Sequence, residues 1–300
     1  MDYLKGNATA NAGALYVICR HLTTLGTAVS PEDLRAGLRP LPEQRASDRG
    51  GDRNTDTLAA SLRVGQGLGA LTEQAGVGWT VDPAIAAGLT AAVDGWAWFR
   101  GDLLRRINTE AVASIDKGEK PADLVLGMAW FLQQDALTPL GTAFGQDAEL
   151  RIGRLAYDDG KAVKAVENQE QWRAFLRWSI ALGLARNVDT SGSKVVVADA
   201  STAIADQFPV LPASDRAEDW LAQLVTYLPV LGAPSVLGSL PTPRAGWADL
   251  APAVALGLLK LEKAGAITMT GADDGRGIVA VGLGGNTRQV GVITVTGAGA

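Results

Sequence analysis

With 300 residues, 47% of them hydrophobic, the chain can bury a substantial core and form two or three domains, which excludes a disordered polymer. Its formal net charge of −5 is distributed without a basic segment, so a generally cationic nucleic-acid coat is excluded and any phosphate-binding face must be local. Cys19 and His21 are the only cysteine and histidine, which excludes an internal disulfide and a Cys/His zinc cage; no leader-like N-terminus or apolar run of about 18 residues occurs, so a cytoplasmic protein without membrane contact is expected.

Residues 1–83 read as a winged-helix-like domain. The segment 11–26 spaces Leu15, Ile18, Cys19 and Leu22 along one helical stripe that ends at Gly26. Cys19 is therefore expected in the core and His21 on the helix surface. Ser30-Pro31-Glu32-Asp33 joins a capping serine, a proline suited to the first helical position and two acids at the positive end of the helix dipole, which predicts a second helix ending before Pro40. After a polar loop, a third helix is predicted from Thr57 to Gln74, then a turn and one strand over 76–83. In such an order the third helix normally enters the DNA major groove. Arg45, Arg49 and Arg53 recur every four residues and are followed by Asn54, Thr55, Thr57, Ser61 and Arg63, the donors that phosphates and base edges require. These eight residues are the candidate DNA contacts. Glu43, Asp48, Asp52 and Asp56 alternate with the arginines, so a solvated loop is the competing reading.

Residues 84–207 are expected to form a helical middle domain. Its stripes are Trp96, Phe99, Leu103 and Leu104, then Leu124, Met128, Phe131 and Leu132, then Trp172, Phe175, Leu176, Ser179 and Leu182. Asn168 and Gln171 resemble a capping box. A strand is predicted over 194–200, with a helix starting at Ser201 or Thr202, and the Pro-rich stretch 208–212 marks a boundary.

Residues 208–300 read as a second winged-helix-like domain. Helices are predicted over 215–231 and 251–264, followed by a hairpin pairing 266–270 with 277–281 around a tip that carries Asp273, Asp274 and Arg276, and by a last strand over 290–295. That acidic tip suits phosphate poorly and favours protein contact or a packing role. The expected architecture is thus mainly α with small β (α+β), with winged-helix-like units at both ends of a helical middle region.

No complete catalytic constellation is present. The glycine-rich stretches 65–69 and 282–286 do not open a strand-loop-helix unit, and no GxxxxGK[ST], HExxH or GxSxG occurs. The carboxylate pairs Asp158-Asp159, Glu218-Asp219 and Asp273-Asp274 read as solvated turns unless folding converges them into a magnesium site. No enzyme activity, metal or cofactor is expected.

The segments 15–20 (LYVICR), 123–132 (DLVLGMAWFL) and 168–178 (NQEQWRAFLRW) resemble the G component of bacterial dpd clusters, which insert 7-deazapurines into DNA. The matching segments are core helices, so no catalytic residue transfers. The resemblance implies an accessory role in DNA modification and restriction. The leading expectation is a non-enzymatic DNA-binding or accessory protein of a bacterial modification and defence system, with double-stranded DNA and other proteins of the same gene cluster as partners. A protein-binding scaffold or adaptor subunit, and a transcriptional regulator, are the alternatives.

Overall fold

The computed structural model describes residues 2–38, 57–145, 165–190, 193–239, 250–271 and 277–297. The fold is α+β, with long helices and small antiparallel sheets. Helix α1 (Ala12–Leu25) is capped by the Asn11 side chain, which accepts from Ala14 N, and stops at Gly26 with φ 67°. Its stripe of Leu15, Ile18, Cys19 and Leu22 is buried. Helix α2 (Pro31–Gly37) begins where Ser30 accepts from Asp33 N.

Helix α3 (Thr57–Gly67) is shorter than its pattern predicts. Gly65, Gly67 and Gly69, the last at φ 63°, weaken the helix, and residues 71–74 instead form β1 (Leu71–Gln74), hairpinned to β2 (Gly78–Val81). The predicted single strand is therefore a pair. Val29 and Trp79 exchange backbone hydrogen bonds at 3.0 and 2.8 Å, adding a one-residue third strand beside β2. Position 78 requires glycine: its φ is 136°, and a Cβ would lie 2.2 Å from Val29 O.

Next come α4 (Pro83–Ala91), the 22-residue α5 (Gly95–Asp116) and α6 (Asp123–Leu132), every residue of which is buried. Strand β3 (Leu140–Gly141), α7 (Gln169–Ala181), β4 (Ala185–Thr190) and β5 (Ser193–Ala198) follow, with the strands ordered β3-β5-β4. The expected helical middle thus contains a sheet, to which the strand predicted near 194–200 belongs. Asn168 accepts from Gln171 N at 2.9 Å, while Gln171 Oε1 reaches back to Glu167 N.

The last region comprises α8 (Ser201–Ala205), β6 (Ser214–Arg216), α9 (Ala217–Tyr227), α10 (Pro234–Leu237), α11 (Pro252–Lys263), β7 (Ile267–Thr270), β8 (Val279–Leu283), β9 (Asn286–Val290) and β10 (Val292–Val295). The predicted hairpin between 266–270 and 277–281 does not form. Strand β8 pairs with β9 across Gly284 and Gly285, whose φ values of 59° and 83° suit a two-residue turn with both central residues left-handed, while β7 pairs with β10. The local turn captures β8, and β10 sits between β6 and β7.

One strand order recurs three times. Val29-β2-β1, β3-β5-β4 and β6-β10-β7 each place the first strand of the sheet beside the last and the last beside the second, with helix between the first and second strands and, in the third sheet, the β8–β9 hairpin inserted before the last. Helix α5 binds the first and last units together. Arg106 reaches Asp102 at 2.7 Å, Asp82 at 2.8 Å and the Gly69 carbonyl at 2.9 Å; Arg100 grips Asp206 through two bonds of 2.5 and 2.7 Å; Asn108 Oδ1 accepts from Val230 N. The second and third units meet where Lys260 of α11 donates to Asp199 and, at 3.2 Å, to Ser201 Oγ. A single buried apolar cluster runs from Tyr3 to Ile293.

Candidate nucleic-acid interface

Of the eight candidate contacts, Arg45, Arg49, Arg53, Asn54 and Thr55 lie outside the described residues. Thr57 opens α3 and is exposed, and Arg63 is exposed two turns on. Ser61 is a correction: it is fully buried among Ala60, Val64 and Gly65 on the inward stripe of α3, so it does not face a ligand. Gln66, three residues beyond Arg63, occupies the outward face instead. Between α2, α3 and the β1–β2 hairpin lies a groove of about 270 Å³, lined by residues including Arg35, Leu62, Arg63, Gln66, Glu73 and Trp79.

Arg63 is tied to the N-terminal segment, its Nε donating to Asn7 Oδ1 at 3.2 Å. That segment is itself anchored in the second unit. The Asp123 carboxylate, buried at the start of α6, accepts from the backbone N–H of Tyr3 at 2.8 Å, Leu4 at 3.0 Å and Lys5 at 2.9 Å. Burial pushes the Asp123 carboxyl above its ordinary value, opposed by these three donors. The Tyr3 hydroxyl donates to Glu110 at 3.0 Å, and Lys5 pairs with Glu167 at 2.9 Å.

One residue beyond Asn7, the Ala8 carbonyl accepts from Arg177 Nη2 on α7. Arg173 lies one turn earlier on α7, and both arginines are exposed, opposite the buried Trp172, Phe175 and Leu176. Sequence reasoning missed them because it followed the apolar stripe of this helix. Their spacing of four, on the face complementary to that stripe, was the available signal.

Two cations of the third unit are differently placed. Arg288 pairs with Glu262, and Lys260 with the buried Asp199. The predicted tip with Asp273, Asp274 and Arg276 lies outside the described residues, as do Asp158 and Asp159; Glu218 and Asp219 occupy the exposed first turn of α9. Burial pushes the Cys19 thiol up to about 12, so it stays protonated and serves as packing. His21 is half-buried against Gly37. Among the described residues no three His, Cys, Asp or Glu side chains gather into a metal-binding group, and no helix is long and apolar enough to cross a membrane.

The family model described as DpdG-like matches residues 1–275, spanning the first two units and the third as far as β7. Neither the curated proteins nor the solved structures contain a match to the chain.

Proposed function

The chain belongs to the DpdG-like family, and from that premise we propose that it is a non-enzymatic accessory protein of a bacterial DNA-modification and defence system that engages duplex DNA through its first unit. The unit is read as a winged helix, and the observation that carries this reading is its construction: three helices and a hairpin, with Val29 bridging β2, and α3 presenting Thr57, Arg63 and Gln66 beside that hairpin. The recurring arginines of 45–53 lead into the start of the same helix and supply phosphate contacts in this reading. The recurrence of the strand order in the other two units supports a tandem winged-helix architecture.

The test is fluorescence anisotropy of the full chain with a labelled duplex across a salt series. Salt-dependent binding that weakens at least tenfold in a variant carrying Arg45→Ala, Arg49→Ala and Arg53→Ala supports the reading. Absence of binding by the wild type at low salt, alone and with proteins of its gene cluster, removes it. An adaptor role for the third unit is the second reading, favoured by the carboxylate pairing of Lys260 and Arg288. Purification of tagged protein from its host should then recover cluster partners that are lost when the exposed surface of that unit is altered.

A further inference from the structure

We propose that Arg63, Arg173 and Arg177 form one phosphate-binding face, shared between the first and second units, that follows the backbone of a single DNA duplex; this rests on the reading of the protein as a duplex-binding one. Asn7 and Ala8 are consecutive, and each accepts one bond from a guanidinium, the first from Arg63 of α3 and the second from Arg177 of α7. Two helices from different units thus place their arginines around one dipeptide. Asn7 Oδ1 and the Ala8 carbonyl are neutral, so these bonds orient the guanidiniums without cancelling their charge, and of its five N–H groups each guanidinium keeps four with which to meet further acceptors.

Several other arginines differ in this respect, although Arg20 also donates to a neutral acceptor, the Tyr16 hydroxyl. Arg100, Arg106 and Arg288 each meet a carboxylate. Arg173 is exposed one helical turn from Arg177 and makes no ion pair within 4.0 Å among the described residues. The nearby acids are Glu167, already paired with Lys5, Glu170 in the first turn of α7, Asp2, whose carbonyl accepts from Asn7, and Glu73, which lines the groove with Arg63; none of them makes an ion pair with Arg63, Arg173 or Arg177 among the described residues.

The face is also held in place. Three backbone N–H groups of residues 3–5 are fixed to Asp123 of the second unit, so the segment carrying Asn7 and Ala8 is anchored just before it meets the two arginines. A held array of planar, permanently charged forks fits phosphodiester oxygens, and cations drawn from two units fit an extended polyanion.

The experiment measures the affinity of the full chain for a labelled duplex of arbitrary sequence against salt concentration. The double variant Arg173→Ala/Arg177→Ala should lower the magnitude of the log K against log[salt] slope by about 2 and weaken binding at least tenfold at about 0.1 M salt. Arg177→Lys should keep most of the slope, and Arg63→Ala alone should lower it by about 1. Thermal melting should be nearly unchanged in all three, since the replaced side chains are exposed. A wild type that binds while the double variant keeps its full slope overturns the shared face and leaves duplex binding by the first unit standing. A wild type that does not bind overturns both. Displacement of the duplex by polyglutamate at equal charge concentration overturns the duplex assignment in favour of an acidic protein.

Discussion

Helix α5 and the face built from α3 and α7 are both rich in arginine, and they differ in what those arginines touch. On α5, Arg100 is 15% exposed and meets Asp206, itself 7% exposed, while Arg106 is shared between Asp102 and Asp82 and also donates to backbone carbonyls. On the outer face, Arg63 and Arg177 rest on an amide oxygen and a carbonyl, and their charge stays available to solvent. One residue type therefore does two jobs. Where a carboxylate balances it in a partly dry setting it joins units together; where a neutral acceptor only steers it, it can still attract an anion.

The largest effect should come from breaking the first kind of contact. Asp206→Ala leaves the partly buried Arg100 without its counter-charge and should cost about 3 kcal/mol in chemical denaturation. Next, Asp123→Ala removes the acceptor for three backbone N–H groups and should cost roughly 2–3 kcal/mol. It should also speed limited proteolysis around residues 5–8, because the strap beneath the arginine face loses its anchor. A cost below about 0.5 kcal/mol at either position would break the comparison, since it would mean these polar contacts do not hold the units together.

A smaller effect, with a pH signature, belongs to Asp199. Burial pushes its carboxyl up, but bonds from Lys260 and Ser201 outweigh this and hold it below its ordinary value. A carboxyl with a lowered folded value stabilises the protein above the unfolded value and loses that contribution as pH falls through the folded one. Stability should therefore fall in the acid range below about pH 4. Lys260→Met should cost on the order of 1–2 kcal/mol at neutral pH, discounted because the lysine is one-third exposed. It should also weaken the acid dependence at this site, since without the lysine the Ser201 bonds and Arg186 at 3.9 Å are left to oppose burial. Denaturation midpoints of wild type and variant between pH 3 and 7 check both statements. The smallest stability effect is expected at Arg63→Ala, within about 0.5 kcal/mol, although the same variant should weaken duplex binding.

How much of this was legible in advance follows the range of each interaction. The first helix, expected over 11–26, runs from Ala12 to Leu25 because Asn11 and Gly26 cap it from within a few residues. The helix expected over 251–264 is Pro252–Lys263 for the same kind of reason, a proline start and a local stripe. Ser61 was misplaced because a polar residue on an inward stripe was read by its type and not by its position on α3. The β7–β10 pairing was missed because the sequence also offered a nearer partner, and only the two-glycine turn between β8 and β9 decided against it.

The amino-acid sequence by itself determined the extents of α1 and α11, the Ser30 and Asn168 caps, the α+β class, the absence of a cysteine or histidine metal cage within the chain and the overall acidity, since each depends on composition or on residues within a turn of one another. Only the tertiary structure decided that the middle carries a sheet, that one strand order occurs three times, and that Arg63 and Arg177 meet adjacent residues of the N-terminal segment. Those last two contacts span 56 and 169 residues of chain. Nothing in local spacing encodes them; they exist because buried apolar stripes and the Asp123 anchor bring distant helices to one surface.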